Sequence, residues 1–388
     1  MKKLLLATAV AALSVSAANA APTVYGKAFV TADYVDAEVD ARYVDNAGEK
    51  FSGNEDENTV EINSHFSRLG FKGSEAMTAN TDVIYQLEYG IDVDASGDNT
   101  FKSRDTFLGF ANKNFGQVRV GRNTSVLDYV NNVTVTEGYW NNLGSNTLNT
   151  ESDLDIDENG RVVGFSEDIV QALNMVSFKR LDNSVVWIAP KYNGVPVELA
   201  VQYSADESFG SNDNGFGASL MFDQGTGFTA GLAYTKDMDA NTKWTLFDEE
   251  LSYGGDVIRG TATIDLNKYM AMPVTLGALY QVADYDYAGS KKEKGLVVSG
   301  EMGLTNFAKP ASVYLQYNKT DNLAGIDNFD SDQIVLGGKY MFKDNMIAHA
   351  YVGQNSADFS VRDLFVDGDS TNLDFDVFAL GGGLEYLF

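Results

Sequence analysis

Two histidines, His65 and His349, and no cysteine in 388 residues leave this chain little room for chemistry. Without cysteine there are no disulfides, thiol nucleophiles, zinc–thiolate centres or iron–sulfur clusters. A serine hydrolase needs a base within hydrogen-bond reach of its nucleophile and a third group to orient that base. His65 follows Asn63-Ser64 and His349 stands near the other end of the chain, with no serine motif to support either. There is no Gly-rich phosphate loop and no HExxH pattern, so neither an enzyme nor a cofactor is expected. One stretch resembles a metal site: Asp155-x-Asp157-x-Asn159-Gly160 opens like an EF-hand calcium loop. Its twelfth position is Ser166, with Glu167 one place late and no helices evident beside it. A solvated acidic loop is the expected reading.

What remains is charge. The chain carries 28 Lys+Arg against 55 Asp+Glu, a formal net charge of −27. That balance excludes a nucleic-acid partner, because phosphate backbones demand cations. At 44% hydrophobic and 12% aromatic the chain is too apolar for disorder. The charges therefore sit on a folded frame, and the frame has to be read next.

Residues 1–20 are set apart from it. Lys2 and Lys3, an apolar run from Leu4 to Val15, and Ala18-Asn19-Ala20 form a secretory signal with cleavage after Ala20. Its removal leaves 26 Lys+Arg against 55 Asp+Glu over residues 21–388, a single domain. No later window is long and apolar enough for a transmembrane helix, so the exported protein is periplasmic, secreted or an outer-membrane barrel.

Periodicity favours the barrel. In Thr23–Val35, the residues Val24, Ala28, Val30, Ala32 and Tyr34 share one face; Tyr25, Lys27, Thr31 and Asp33 share the other, with Phe29 the exception. That is period two, the spacing of a strand. The pattern recurs in about sixteen segments, including 174–182 and 184–190 as separate ones, which predicts an all-β transmembrane antiparallel barrel. Short connectors such as Lys113–Gly116 and Lys343–Asn345 alternate with long acidic ones. The long ones are Asp36–Thr59, Met238–Gly255, Asp321–Ser331 and Phe359–Asp374. Short turns at one end and long loops at the other suit a barrel threaded from one side of a membrane. At the C-terminus Leu384, Tyr386 and Phe388 alternate up to the last residue.

Several motifs then fall in one order. They are Tyr25-Gly26-Lys27, Ser67-Arg68-Leu69-Gly70-Phe71-Lys72-Gly73, Tyr85-Gln86-Leu87-Glu88-Tyr89, Lys102-x-Arg104 and Phe115-Gly116-Gln117-Val118-Arg119-Val120-Gly121-Arg122. With the terminal Phe388, the series resembles the general trimeric porins of the Gram-negative outer membrane. The resemblance implies sixteen strands, three barrels per assembly, and a third loop, here about 123–173, folded inward to narrow each pore. It implies that the terminal aromatic strand is read by the barrel-assembly machinery, and that lipid and lipopolysaccharide surround the barrel. Lys27, Arg68, Lys102 and Arg104 lie in the polar registers of their N-terminal strands, and the resemblance makes them the basic wall of the constriction. Asp128 and Glu137 are the nearest candidates for its acidic loop, which lacks the family's usual Pro-Glu-Phe-Gly-Gly. The expected function is passive diffusion of ions and small hydrophilic solutes, with cations favoured by the acidic surplus. The alternatives are a substrate-selective porin, or a surface adhesin or receptor barrel.

Overall fold

A computed structural model describes residues 21–44, 47–94, 101–141, 154–156, 162–165, 173–177, 179–190, 195–205, 214–238, 243–246, 249–252, 254–362 and 370–388. The signal segment lies outside them. The chain begins with β1 (Thr23–Val44), β2 (Lys50–Ser64), β3 (Arg68–Ala76), β4 (Thr81–Ile91), β5 (Phe101–Asn112) and β6 (Gly116–Thr124). A small hairpin, β7 (Leu154–Ile156) and β8 (Val162–Phe165), precedes β9 (Arg180–Ile188). Next come β10 (Val197–Ser204), β11 (Gly215–Asp223), β12 (Phe228–Lys236), a second hairpin of β13 (Lys243–Leu246) and β14 (Glu249–Ser252), and β15 (Gly255–Asp265). The last run is β16 (Val274–Tyr285), β17 (Glu293–Leu304), β18 (Ala311–Asp321), β19 (Phe329–Lys343), β20 (Met346–Arg362) and β21 (Ser370–Leu387).

Outside the two small hairpins, consecutive strands pair antiparallel, and β1 pairs with β21 from Lys27↔Leu387 to Val44↔Ser370, so the sheet closes on itself. Its seventeen strands make sixteen staves, because β2 and β3 are two halves of one. Both pair with β1, at Val30↔Ser64 and at Lys27↔Arg68. Between those pairs Ala28 and Phe29 face His65, Phe66 and Ser67. Three residues against two is a bulge.

Alternation along each stave shows why closure is needed. On β18, Tyr314, Gln316, Asn318 and Thr320 are buried inward while Leu315 and Tyr317 are exposed outward. The same outward band includes Leu232, Ile258, Leu276, Val298, Ile334, Leu336, Leu380 and Leu384. Polar inside and apolar outside inverts the soluble rule and fits a lipid surround, where an open sheet edge would leave backbone groups unpaired. Phe29, the exception in the first strand, is fully buried with its ring against those of His65 and His349, at 5.6 and 4.7 Å between centroids.

Three expectations need correction. Asp36–Thr59 and Phe359–Asp374 are not loops for most of their length: β1 runs to Val44, β2 starts at Lys50, β20 runs to Arg362 and β21 starts at Ser370. The period of two continues there with its polarity reversed. Val35, Ala37, Val39, Ala41 and Tyr43 are buried inward, while Glu38 and Asp40 point outward opposite Asp376 and Asp374. Reading the acids as loop signals hid the strand. Segments 174–182 and 184–190, in turn, are one strand, β9, preceded by residues 173–177 in a non-strand path along the inner wall.

Candidate functional site

The chain between β6 and β9 crosses the inside of the barrel twice. Going out, successive residues are met by successive staves. The Val126 N–H donates to Gln202 of β10 (3.0 Å), and the Leu127 carbonyl accepts from Arg259 of β15 (3.2 Å). The Val133 carbonyl accepts from Ser299 of β17, and the Val135 N–H donates to Gln316 of β18 (2.8 Å). Glu137 pairs with Lys339 of β19 (3.4 Å) and the Tyr139 N–H donates to the Tyr351 hydroxyl of β20 (3.2 Å). Finally the Trp140 ring N–H donates to the Ala379 carbonyl of β21 (3.2 Å). Gly353 leaves room for that indole, since a Cβ there would lie 2.6 Å from it.

The return limb runs the other way, nearer the loop end of the barrel. Asn174 bonds Gln333 of β19 and Asn318 of β18 (3.0 and 3.1 Å). The Val176 N–H donates to Glu293 of β17 (3.0 Å) and its carbonyl accepts from Gln281 of β16 (2.5 Å). The Ser177 hydroxyl accepts from Arg259 (2.8 Å). Arg259, fully buried, thus holds both limbs at once. A segment that crosses strands cannot join their ladder, so its backbone groups need side-chain partners, and inward Gln, Asn, Ser and Arg supply them. This double belt covers the inner wall from β15 to β20.

The wall opposite, β3 to β6 and β9, carries the charge cluster. Glu88, buried, is its centre. Its carboxylate accepts from Arg104 Nε (2.7 Å) and from the Tyr25 hydroxyl (3.0 Å). Arg68 Nε lies 3.7 Å away and Arg180 Nη2 3.9 Å. A second bulge makes this possible: Leu87 pairs with Thr106 and Tyr89 with Ser103, so Glu88 faces both Arg104 and Asp105. Asp105 then reaches Arg180 Nε at 3.4 Å and accepts from the Thr124 hydroxyl at 2.9 Å. Three guanidinium groups share two carboxylates here. Lys179, next to Arg180, is a fourth cation; burial, then the charges of Arg180, Arg104 and Arg259, holds its pKa below the ordinary lysine value, and Asp128 opposes that.

Of the residues singled out from the sequence, Arg68 and Arg104 meet on Glu88. Lys27 does not join them: it is buried beside Glu385 (3.6 Å) and over the Phe29 ring (4.9 Å). Lys102 is largely exposed and pairs with Asp92 near the loop ends of β4 and β5 (3.3 Å). Lys27 stands opposite Arg68 in the β1–β3 register but turns to Glu385, and Lys102 stands opposite Gly90 toward the loop end of its strand, so the four cations do not form one row. Asp128 opens a short 3-10 turn, Asp128–Val130, on the outgoing limb, and Glu137 is engaged by Lys339 further along it. Asp157 and Asn159 lie outside the described residues; of Asp155 only the backbone is described, paired with Gly164 in the β7–β8 hairpin. Among the described residues no cluster of His, Asp and Glu could hold a metal. Leu384 and Tyr386 face outward, and Phe388 bonds back to Gly26 through both backbone groups (2.8 and 3.1 Å). Sequence reasoning missed Glu88, Asp105, Lys179 and Arg180. Glu88 stood in a polar strand register, and Lys179-Arg180 was a visible basic pair ahead of a strand.

Comparison with known proteins agrees with this architecture. The sequence model of a family described as Gram-negative porin matches residues 7–360. Outer membrane porin N of Escherichia coli is 25% identical over 345 residues, 83% of this chain and 85% of that protein. Major outer membrane protein P.IB of Neisseria gonorrhoeae is 29% identical over 235 residues, 60% of this chain and 56% of its own. Among solved structures, an anion-selective porin from Comamonas acidovorans superposes with a TM-score of 0.60 at 17% identity, over 95% of this chain and 100% of that one. The trimer form of OmpT from Vibrio cholerae gives 0.57 at 15% identity, over 95% and 100%.

Proposed function

The chain belongs to the Gram-negative porin family, and from that premise we propose that it conducts ions and small hydrophilic solutes passively, with cations preferred. The reading rests on one observation above all. The belt occupies one side of the lumen and leaves the polar wall of Glu88, Arg68, Arg104 and Arg180 on the other. Solutes pass between that wall and the outgoing limb, where Asp128 supplies a facing carboxylate. A field between fixed opposite charges in a low-dielectric frame orients dipolar solutes and penalises apolar ones. Lys27 and Lys102 act outside the narrowest part. Cation preference follows from the acidic surplus of residues 21–388, 55 Asp+Glu against 26 Lys+Arg, and from the outward acids of the extended strands near the loop end.

The signal is cleaved after Ala20 on export, and the alternating run Leu384, Tyr386, Phe388 is recognised during insertion into the outer membrane. The acidic outer rows meet lipopolysaccharide. Three copies assemble, a reading supported by the similarity to OmpT of Vibrio cholerae in its trimer form. No catalytic step is assigned.

Reconstitution in a planar bilayer under a salt gradient tests it. Stepwise conductance with a reversal potential of cation-selective sign is expected; no steps would end the channel reading, and the anion-selective sign would end the preference. The concentration of three guanidinium groups at Glu88 supports one rival, a substrate-selective channel. Saturable block of the current by one class of anionic solute would favour it.

A further inference from the structure

The bulge that divides β2 from β3 carries a phenylalanine in an unusual conformation. Phe66 has φ of 52°, a left-handed backbone that bulky side chains adopt only when their surroundings impose it. Bulges re-aim the side chain they carry, and the Phe66 ring centroid lies 4.9 Å from Lys179 Nζ. Lys179 stands just ahead of β9, and its carbonyl accepts from the Ser125 N–H at 3.0 Å, just after β6. That bond closes the neck of the loop that forms the belt.

Phe66 and Lys179 are not neighbours along the wall. Between β3 and β9 stand β4, β5 and β6, so the contact is a chord across the inside of the barrel. The groups that act on Lys179 are Arg180, Arg104, Arg259 and Asp128, which face it from β9, β5, β15 and the outgoing limb. Three of those four are cations, and a ring face is one of the few neutral partners that attracts an ammonium there. Arg68, two residues after Phe66, donates to the Phe66 carbonyl at 3.5 Å while its Nε lies near Glu88. The same bulge therefore supports the chord and the charged wall.

We propose that Phe66 and Lys179 form a specificity-determining pair, their cation–π contact fixing the loop neck against the β2–β3 bulge and so setting the largest solute the channel admits. The inference rests on the channel reading above. It makes the aperture depend on Phe66, a side chain remote in sequence from the belt and from its own wall contacts.

Phe66→Gly is the informative variant, because glycine accepts the left-handed backbone without strain and the barrel should fold at least as well. Single-channel conductance is expected to rise roughly 1.5- to 2-fold in Phe66→Gly and in Lys179→Met, as the narrowest section widens. The double variant should show no further rise, and Lys179→Arg should keep the wild-type value. Swelling of protein-loaded liposomes in uncharged sugars should extend to larger sugars in both single variants, which separates aperture from the lost charge of Lys179. An unchanged Phe66→Gly conductance, or effects that multiply in the double variant, would overturn the proposal. A wild-type protein without stepwise current would instead refute the channel reading itself.

Discussion

Asn355 holds Leu173 by both sides of its backbone: its Oδ1 accepts from the Leu173 N–H at 2.8 Å and its Nδ2 donates to the Leu173 carbonyl at 3.0 Å. An amide side chain has the same donor and acceptor as a peptide group, so it can stand in for a neighbouring strand. Gln281 and Glu293 divide the same task at Val176. The belt is attached to the wall by side chains that imitate a backbone.

Replacing Asn355 by Leu keeps the branched outline of the side chain but removes both bonds to Leu173 and the one to the Asp332 carbonyl (3.0 Å). The buried Leu173 N–H then loses its acceptor, while the carbonyl keeps the Ser331 hydroxyl at 2.8 Å. The expected cost is about 1–3 kcal/mol, visible as a lower unfolding temperature together with noisier open-channel current.

Arg259→Met should separate stability from loop position. The guanidinium is fully buried, with neutral partners in Gln281, Ser177 and the Leu127 carbonyl. Loss of those bonds is offset by relief of a buried charge, so stability should change by less than about 2 kcal/mol. Both limbs lose their shared tie. Thermal unfolding should move little while conductance fluctuations increase clearly.

Glu88→Gln removes the carboxylate that Arg68, Arg104 and Arg180 share. Destabilisation of about 3 kcal/mol is expected, since like charges are left in a confined space. The lumen also becomes more positive, so the reversal potential in a salt gradient should shift toward anions. A shift toward cations would contradict the placement of this cluster in the conducting path.

The depressed lysine at the loop neck gives a pH dependence. Between its folded value and the ordinary lysine value, the unfolded chain binds a proton at Lys179 that the folded chain does not. Stability should therefore rise with pH across that window. Over the same window the channel should become more cation-selective. Both slopes should diminish in Lys179→Met, measured by unfolding and by reversal potential.

Removing Phe388 should reduce the amount of barrel recovered from outer membranes more than it reduces the stability of barrel already formed. The residue makes two backbone bonds with Gly26 and stacks on Tyr386 at 6.2 Å, a modest share of the β1–β21 seam. Fractionation after expression, compared with unfolding of refolded protein, separates the two effects.

Strand count, closure and the outward apolar band were legible in the sequence because period two survives in nearly every stave. The acidic extension Asp36-Ala37-Glu38-Val39-Asp40 obeyed the same period, and only the habit of assigning acids to loops concealed it. The inward course of the loop was expected from the resemblance, but its wall contacts were not legible, since they join residues as far apart as Val135 and Gln316. Nor were the two bulges. A single inserted residue decides which side chains meet, and alternation carries no signal for where it falls. Arg68 and Arg104 were found because they stand in motifs that carry the family resemblance and in polar strand registers; Glu88's role depended on what the second bulge placed opposite it.

The belt divides the inward face of the barrel into positions that meet solute and positions that meet protein. Inward side chains from β15 to β20 behave as core, so substitutions there should be read through packing. Over generations, permeability can drift by exchange on β3, β4, β5, β6 and β9, where an inward side chain outside the Glu88 and Asp105 cluster meets water and passing solute rather than the belt. The other half is held by the loop it carries. Adaptation of the channel to a new environment is thus confined to one flank, and a comparison of related sequences should find inward variability concentrated there.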